Sequence, residues 1–221
     1  RVMVDGSMVV EDGEWVDDAL PAASEHTAAV HDAFPDWARD TVKLEPQPAA
    51  AFEIPAPEGA SEVAAEVIRV HENQVVTSRE SATLPVDDGT VGLDGDVSKA
   101  AVFERHGGDE SVGRGFVTGF GFERGAVAST VAHDSHNLLV VGTSDEAMAR
   151  AAARTIELDG GMVAVDDEHV LAEVPLPIAG LMSDLPLSEV SERVHRLEDA
   201  WETLGCELEA PFMTMSLLAL A

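Results

Sequence analysis

The residues best suited to chemistry in this sequence are clustered at positions 133–137, which read His-Asp-Ser-His-Asn. His133, Asp134, His136 and Asn137 supply two imidazoles, a carboxylate and an amide within five positions. Side chains of these types can bind a metal ion, transfer a proton or recognise a polar ligand. The cluster is therefore the first candidate for a functional site.

The flanking sequence determines how these side chains can be presented. Residues 127–142 run from apolar to polar and back to apolar, which predicts a strand, a turn and a second strand. A turn can bring His133 and His136 to one side, which a regular strand cannot do at a spacing of three. Three interpretations remain open. They are a polar network that fixes the turn, a ligand site or domain interface, and a metal site that lacks its further ligands.

The charge of the chain restricts its partners. Thirteen basic residues against 42 acidic ones give a net charge of −29, while 45% of the residues are hydrophobic. Apolar periodicity persists along the chain, so we expect an acidic shell around an ordinary core, as in a protein from a halophile. At 1 M salt the screening length falls to about 3 Å, and carboxylate repulsion becomes tolerable. The charge predicts no nucleic-acid partner, since phosphates would be repelled, and no binding to anionic membrane surfaces.

Hydropathy and cysteine content exclude two further classes. No apolar run approaches the roughly 18 residues that a membrane-spanning helix needs. Cys206 is the single cysteine, so no intrachain disulfide can form. We expect Cys206 to be a buried apolar residue and not a nucleophile.

The periodicity predicts an α+β domain with a largely antiparallel sheet of about six or more strands and two main helices. The first helix follows Thr143, which forms a capping box with Glu146, and runs to about residue 158. The second covers residues 188–204, where apolar residues recur every three or four positions. Besides those flanking the polar turn, strands are predicted at residues 65–70, 75–83, 99–105, 115–120, 162–165, 170–174 and 212–220.

The loop at residues 175–184 is apolar and ends in two polar residues. Its proline-rich sequence, Pro-Leu-Pro-Ile-Ala-Gly-Leu-Met-Ser-Asp, cannot form regular structure. Loops of this composition line pockets or interfaces. We therefore include Ser183 and Asp184 with the polar turn as candidate active-site or interface residues.

Several long strings of this sequence resemble one protein family. They are residues 102–106 (Val-Phe-Glu-Arg-His), 115–121 (Gly-Phe-Val-Thr-Gly-Phe-Gly), 124–129, 131–137 (Val-Ala-His-Asp-Ser-His-Asn), 140–143, 175–184, 204–206 and 211–214 (Pro-Phe-Met-Thr). Residues 101–221 resemble the C-terminal domain of prokaryotic adenine deaminase, a member of the amidohydrolase superfamily. The resemblance implies a cytoplasmic, homo-oligomeric enzyme that hydrolyses adenine to hypoxanthine and ammonia.

The resemblance also implies machinery that this sequence does not contain. Family members carry a divalent metal, manganese or iron, in a (β/α)₈ barrel that precedes this region, and such a barrel needs about 250 residues. This chain has 221 residues and no His-x-His pair. We expect it to be the C-terminal portion of a larger enzyme that is inactive alone. The alternatives are a non-catalytic scaffold or dimerisation domain and a small metal site built on His133, Asp134 and His136.

Three regions are predicted along the chain. Residues 1–20 contain a hairpin with an Asp-Gly turn, which resembles the closing strands of the β-sandwich that accompanies amidohydrolase barrels. Residues 21–60 form an acidic linker rich in alanine and proline, in which a short helix can form at residues 24–34. His26 and His31 in this linker are expected to be solvated. Residues 61–221 form the α+β domain.

Overall fold

Two units of chain carry the described elements. The computed structural model describes residues 1–4, 6–16, 34–72, 74–108 and 111–220. The smaller unit is Arg1–Asp36 and the larger is Trp37–Ala221. The predicted helix at residues 24–34, His26 and His31 lie almost wholly outside the described residues.

The smaller unit contains a three-stranded antiparallel sheet. Its strands are β1 (Val2–Val4), β2 (Ser7–Glu11) and β3 (Glu14–Trp15) in the order β1-β2-β3. The hairpin expected at residues 2–13 is therefore confirmed, and β3 extends it. At the second turn Asp12 and Gly13 adopt φ values of 53° and 87°. Aspartate and glycine are among the few residues that tolerate this left-handed conformation.

The larger unit is built on a nine-stranded mixed sheet. Its strands are β4 (Glu62–Arg69), β5 (Ser78–Asp87), β6 (Thr90–Val91), β7 (Ser98–Phe103), β8 (Val112–Thr118), β9 (Ala126–Ser129), β10 (Leu138–Gly142), β11 (Gly161–Val165) and β12 (Val170–Pro175). They lie in the order β12-β11-β9-β10-β7-β8-β4-β5-β6. β4 and β8 are parallel, and the other neighbours are antiparallel.

Helices cover both faces of this sheet, which confirms the α+β class. They are α1 (Asp145–Glu157), α2 (Leu187–Thr203) and α3 (Pro211–Leu218). Every residue of β9 and β10 is buried. Consecutive β10 residues point to opposite faces of the sheet. Leu138 packs with residues of α1 on one face, and Leu139 packs with residues of α2 and α3 on the other. The near-continuous apolar sequence of these strands follows from burial on both faces.

The start of α1 differs from the predicted capping box. Ser144, and not Thr143, is the N-cap, and its hydroxyl accepts a hydrogen bond from the Ala147 amide. Thr143 instead donates its hydroxyl to the Gly125 carbonyl at 3.2 Å. Either hydroxyl could have capped the helix. The tertiary bond of Thr143 decides between them.

The second predicted helix is confirmed within one residue at each end by α2. Its predicted apolar stripe lies in the core, where Trp201 and Leu197 are almost fully buried. The Trp201 ring contacts three phenylalanine rings at centroid distances of 4.7–5.9 Å: Phe120, Phe122 and Phe212. Such contacts stabilise aromatic clusters beyond simple area burial.

The strand predicted at residues 212–220 is wrong, because this segment forms helix α3. Pro211 occupies the first helical turn, where its fixed φ favours a helix start and its missing N–H costs nothing. The helix is apolar almost all round, and it buries Met215 and Leu218. A short, uniformly apolar run lacks the periodicity that would separate a buried helix from a buried strand.

The segment at residues 37–60 belongs to the larger unit by its contacts. One 3₁₀ turn, Asp36–Ala38, begins one residue before this segment, and a second, Ala49–Phe52, lies within it. Phe52 is buried and packs edge-on against Phe103, with ring centroids 5.1 Å apart. The domain limits 1–20, 21–60 and 61–221 remain predictions. Among the described residues, no helix is both long and apolar enough to cross a membrane.

Gly125 should be essential to the packing of the sheet against α2. Its φ is +74°, and an added Cβ would lie 2.3 Å from the Val165 carbonyl oxygen. We expect Gly125→Ala to lower the free energy of unfolding by about 1–3 kcal/mol, measured by chemical denaturation of the 221-residue chain.

Gly115 provides the matched control for this substitution. It has an ordinary strand conformation, and nothing lies within 4 Å of an added Cβ. Gly115→Ala should leave the stability of the same chain unchanged or raise it by up to about 1 kcal/mol. Equal losses in the two variants would contradict the steric argument.

Candidate functional site

The polar turn joins two neighbouring antiparallel strands, as the sequence predicts. β9 ends at Ser129 and β10 begins at Leu138, and the two strands pair directly. Within the turn, the His136 amide donates to the Ala132 carbonyl at 2.6 Å. The Ala132 amide donates to Nδ1 of His136 at 3.3 Å. His136 adopts a φ of 50°, a left-handed conformation in which histidine is enriched.

The turn brings the two predicted imidazoles together. The His133 and His136 ring centroids are 5.4 Å apart with an interplanar angle of 63°. Both residues are half-buried, whereas Asp134 between them is exposed. A third imidazole, His106, contacts the turn through Nε2, which lies 2.9 Å from the Ser135 carbonyl oxygen. His106 is remote in sequence from the turn, so residue spacing gives no sign of this contact, although His106 ends the family-like string at residues 102–106.

The surroundings of His136 favour its neutral form. Burial lowers the pKa of His136 below its ordinary value of 6.5, and the nearby His133 and Arg105 lower it further. The Asp134 carboxylate acts in the opposite direction. A neutral imidazole has one donor and one acceptor nitrogen. Because folding disfavours the protonated ring, this group contributes stability above its unfolded pKa that is lost as the pH falls through its folded pKa.

Arg105, a buried residue, fixes the position of the turn. Its Nε donates to the His136 carbonyl. One terminal nitrogen donates to the carbonyl and hydroxyl oxygens of Thr41 at 3.3 and 3.2 Å, and the other to the Ala179 carbonyl at 2.9 Å. One guanidinium thus joins three chain segments. Its planar array of donors suits this task, which a lysine could not perform.

The charge of Arg105 is partly compensated by Asp159. Burial lowers the pKa of Arg105, while the negative charges of Asp159 and Glu104 raise it. Asp159 also accepts hydrogen bonds from the backbone amides of Thr41 at 2.9 Å and Val42 at 3.1 Å. The same carboxylate therefore holds the segment that Arg105 contacts. Sequence patterns did not identify either residue, since both act through long-range contacts.

The loop at residues 175–184 reaches the turn region through its middle and not through its predicted polar end. The Ala179 carbonyl accepts a hydrogen bond from Arg105, which also donates to the turn. An added Cβ at Gly180 would lie 2.8 Å from the guanidinium. Ser183 accepts the amide of Leu185 at 3.2 Å, and Asp184 pairs with Arg39 at 3.0 Å. No described contact joins Ser183 or Asp184 to the turn, and their role remains a proposal.

Helix α3 forms a further boundary of the turn. The His133 amide donates to the Ser216 carbonyl at 3.1 Å. Two buried polar atoms, Asn137 Oδ1 in the turn and the Ser216 hydroxyl in α3, have no hydrogen-bond partner among the described residues. Buried polar atoms normally have partners. The turn therefore has hydrogen-bonding capacity beyond what its own fold uses.

The metal-site interpretation gains no support from the geometry. In the part of the chain that the structure describes, no group of three or more histidine, cysteine, aspartate or glutamate side chains could hold a metal ion. His133 and His136 therefore remain two imidazoles without the further ligands that a zinc-type site requires. Cys206 is buried, and burial raises the pKa of its thiol to about 11. The predicted burial of Cys206 is therefore confirmed, and a raised pKa disfavours the thiolate form.

Comparisons with known proteins identify the family. The model of the adenine deaminase C-terminal domain matches residues 74–221. A protein named adenine deaminase from Moorella thermoacetica is 51% identical over 223 aligned residues, which cover all of this chain and 36% of that protein. Similar proteins of the same name from Clostridium botulinum (strain Loch Maree) and Methylobacterium nodulans are each 45% identical, and cover 100% and 96% of this chain.

The chain spans 36% of the length of each of these three relatives. The family model alone covers residues 74–221, which include the polar turn, the loop at 175–184 and the three α-helices of the described residues. The chain belongs to the adenine deaminase C-terminal domain family.

Proposed function

We propose that this chain is the C-terminal part of an adenine deaminase that converts adenine and water to hypoxanthine and ammonia. The supporting observation is the alignment of the whole chain with proteins of that name at up to 51% identity. In this proposal the reaction centre lies in the preceding part of the longer polypeptide. The role of the present residues is to shape, close or oligomerise that enzyme.

The metal of the proposed enzyme, manganese or iron, belongs to the preceding part. A bound divalent metal supplies hydroxide near neutral pH by lowering the pKa of water. The described residues of this chain do not fit such an ion, since they contain no suitable ligand group. No catalytic step is therefore assigned to a metal here.

The 133–137 turn is the part of this chain that we propose contributes to the substrate site. A simple two-residue turn needs only residues such as Asn-Gly, far fewer polar groups than this turn contains. Arg105 holds the turn rigidly, and rigid support is what a positioned functional group requires. A neutral His136 and the unpaired Asn137 oxygen could each hydrogen-bond a purine or a neighbouring loop. Ser183 and Asp184 extend the proposed surface.

The second candidate function is a non-catalytic scaffold or dimerisation domain. It is supported by the Arg105 contacts, most of which go to backbone carbonyls and could serve stability alone. Replacement of His136 distinguishes the two candidates, because only the first predicts a loss of catalysis. In both, we propose a homo-oligomeric cytoplasmic protein, as the resemblance to adenine deaminases implies. The net charge of −29 supports the further proposal that it binds neither nucleic acid nor anionic membranes, whose phosphates it would repel.

The isolated chain should not deaminate adenine. The described residues contain no metal-ligand group, and the proposed reaction requires one. We expect no hypoxanthine above the uncatalysed rate when the purified chain is incubated with adenine and manganese, as followed by chromatography. Hypoxanthine formation that a chelator abolishes would contradict the proposal and would support a metal site on this chain.

The stability of the fold should increase with salt. With a net charge of −29, unscreened carboxylates repel one another in dilute buffer. We expect the melting temperature to rise steadily across a KCl series towards molar concentrations. Glu198→Gln with Glu202→Gln, two exposed positions on α2, should reduce that dependence. A melting temperature that is independent of salt or falls with it would exclude the halophile proposal.

His136→Ala should reduce catalysis in the full-length enzyme without unfolding it. If the imidazole contributes to substrate binding or turnover, we expect kcat/KM for adenine to fall at least about tenfold, or 1.4 kcal/mol. Steady-state kinetics and thermal melts should be measured together.

His195→Ala is the matched control for this variant. His195 is exposed on α2 and contacts only its own helix through the Ser191 carbonyl in the described contacts. It should leave both kinetics and stability unchanged. A large loss of stability in His136→Ala with unchanged kinetics would assign the turn to the scaffold function.

A further inference from the structure

An apolar groove lies on the sheet face next to the polar turn. It has a volume of about 250 Å³. Its floor is formed by β7 and β8, and its sides by Ile68 of β4, Leu139 of β10 and Leu218 at the end of α3. Leu139 lies two residues after Asn137, so the groove and the turn share one corner of the fold. α2 and α3 cover the neighbouring part of this face.

The composition of the groove differs from that of the rest of the chain. Acidic residues make up 42 of the 221 positions, yet the groove lining contains no carboxylate among the described residues, and its one charged residue is Arg114. On the open part of the same sheet face, by contrast, β4 presents exposed Glu62 and Glu66. An acidic shell keeps a surface hydrated. Apolar surface that lacks this acidic shell is typical of a site that another segment or molecule covers.

Two glycines in the floor of the groove support the same conclusion. Gly113 and Gly115 lie in the interior of β8, where glycine weakens a strand. Neither has a positive φ, and nothing in the described structure lies within 4 Å of an added Cβ at either position. The conformation and packing of this chain therefore do not require glycine. A glycine in a strand often marks the close approach of another element.

We infer that this groove is the docking site for an apolar segment of the polypeptide that precedes the matched region in the longer relatives. The matched part is 36% of the length of those relatives, so the remaining 64% of each lies outside it. A segment tethered in the same chain is present at high effective concentration. This inference rests on the proposed function in one respect: both place the preceding polypeptide next to the polar turn and the apolar groove. It does not depend on the reaction.

Cysteine labelling of the full-length protein tests this inference. Gly115→Cys places a thiol in the groove, and Thr83→Cys places one on the exposed part of the same sheet face, since Thr83 pairs with Ala64. The native Cys206 is buried and serves as an unreactive reference. We expect a maleimide to label the Gly115→Cys variant at least about tenfold more slowly than the Thr83→Cys variant, when labelled peptides are followed by mass spectrometry. In the 221-residue chain alone the two rates should be similar.

Further variants and conditions make the result decisive. If Gly115→Cys fails to fold, Ala100→Cys on β7 reports on the same groove. Labelling of the groove thiol as fast as the thiol of the Thr83→Cys variant in the full-length protein would overturn the inference. Protection that disappears on dilution would also overturn it, because the occupant would then be a second copy. Adenine deamination by the same preparations tests the proposed function separately, since either result can fail without the other.

Discussion

The buried guanidinium of Arg105 is the interaction on which the arrangement of the candidate site depends. It contacts carbonyl oxygens in the segment at residue 41, in the 133–137 turn and in the loop at residue 179. Hydrogen bonds from a charged donor contribute about 1.5–3 kcal/mol each, and buried carbonyls without partners are costly. Asp159 compensates the charge and holds the same N-terminal segment. Three segments remote in sequence are thereby fixed relative to one another.

The fold could be predicted where periodicity and burial agree. The central strands β9 and β10 are continuous apolar runs, and α2 carries a regular apolar stripe, so their types followed from sequence. α3 was missed because its apolar residues are not periodic, and helix and strand cannot then be distinguished. The start of α1 was displaced by one residue because Ser144 and Thr143 are equivalent in isolation. The contact of Thr143 with Gly125, which separates them, is long-range.

The candidate site was predictable only in its local part. The spacing of His133 and His136 indicated that a turn could bring them together, and their rings lie 5.4 Å apart. The residues that hold the turn could not be found in this way. Arg105 is 31 positions from His136, and Ser216 comes from a helix much later in the chain. Hydrogen bonds of this kind leave no local signal, because their acceptors are largely backbone carbonyls, which every residue has.

The parallel pairing of β4 with β8 has a consequence for how the sheet folds. The two strands are matched at three positions, whereas β4 and β5 are matched at eight. A parallel pair needs a long crossover connection. We therefore expect β4 and β8 to pair after the local hairpins β4–β5 and β7–β8 have formed. In the sheet, β4, β5 and β6 lie on one side of this parallel pair, and the other strands lie beyond β8. Ile68 and Val117, which are paired across β4 and β8, also line the apolar groove, so one border of the groove depends on a contact between segments far apart in the sequence.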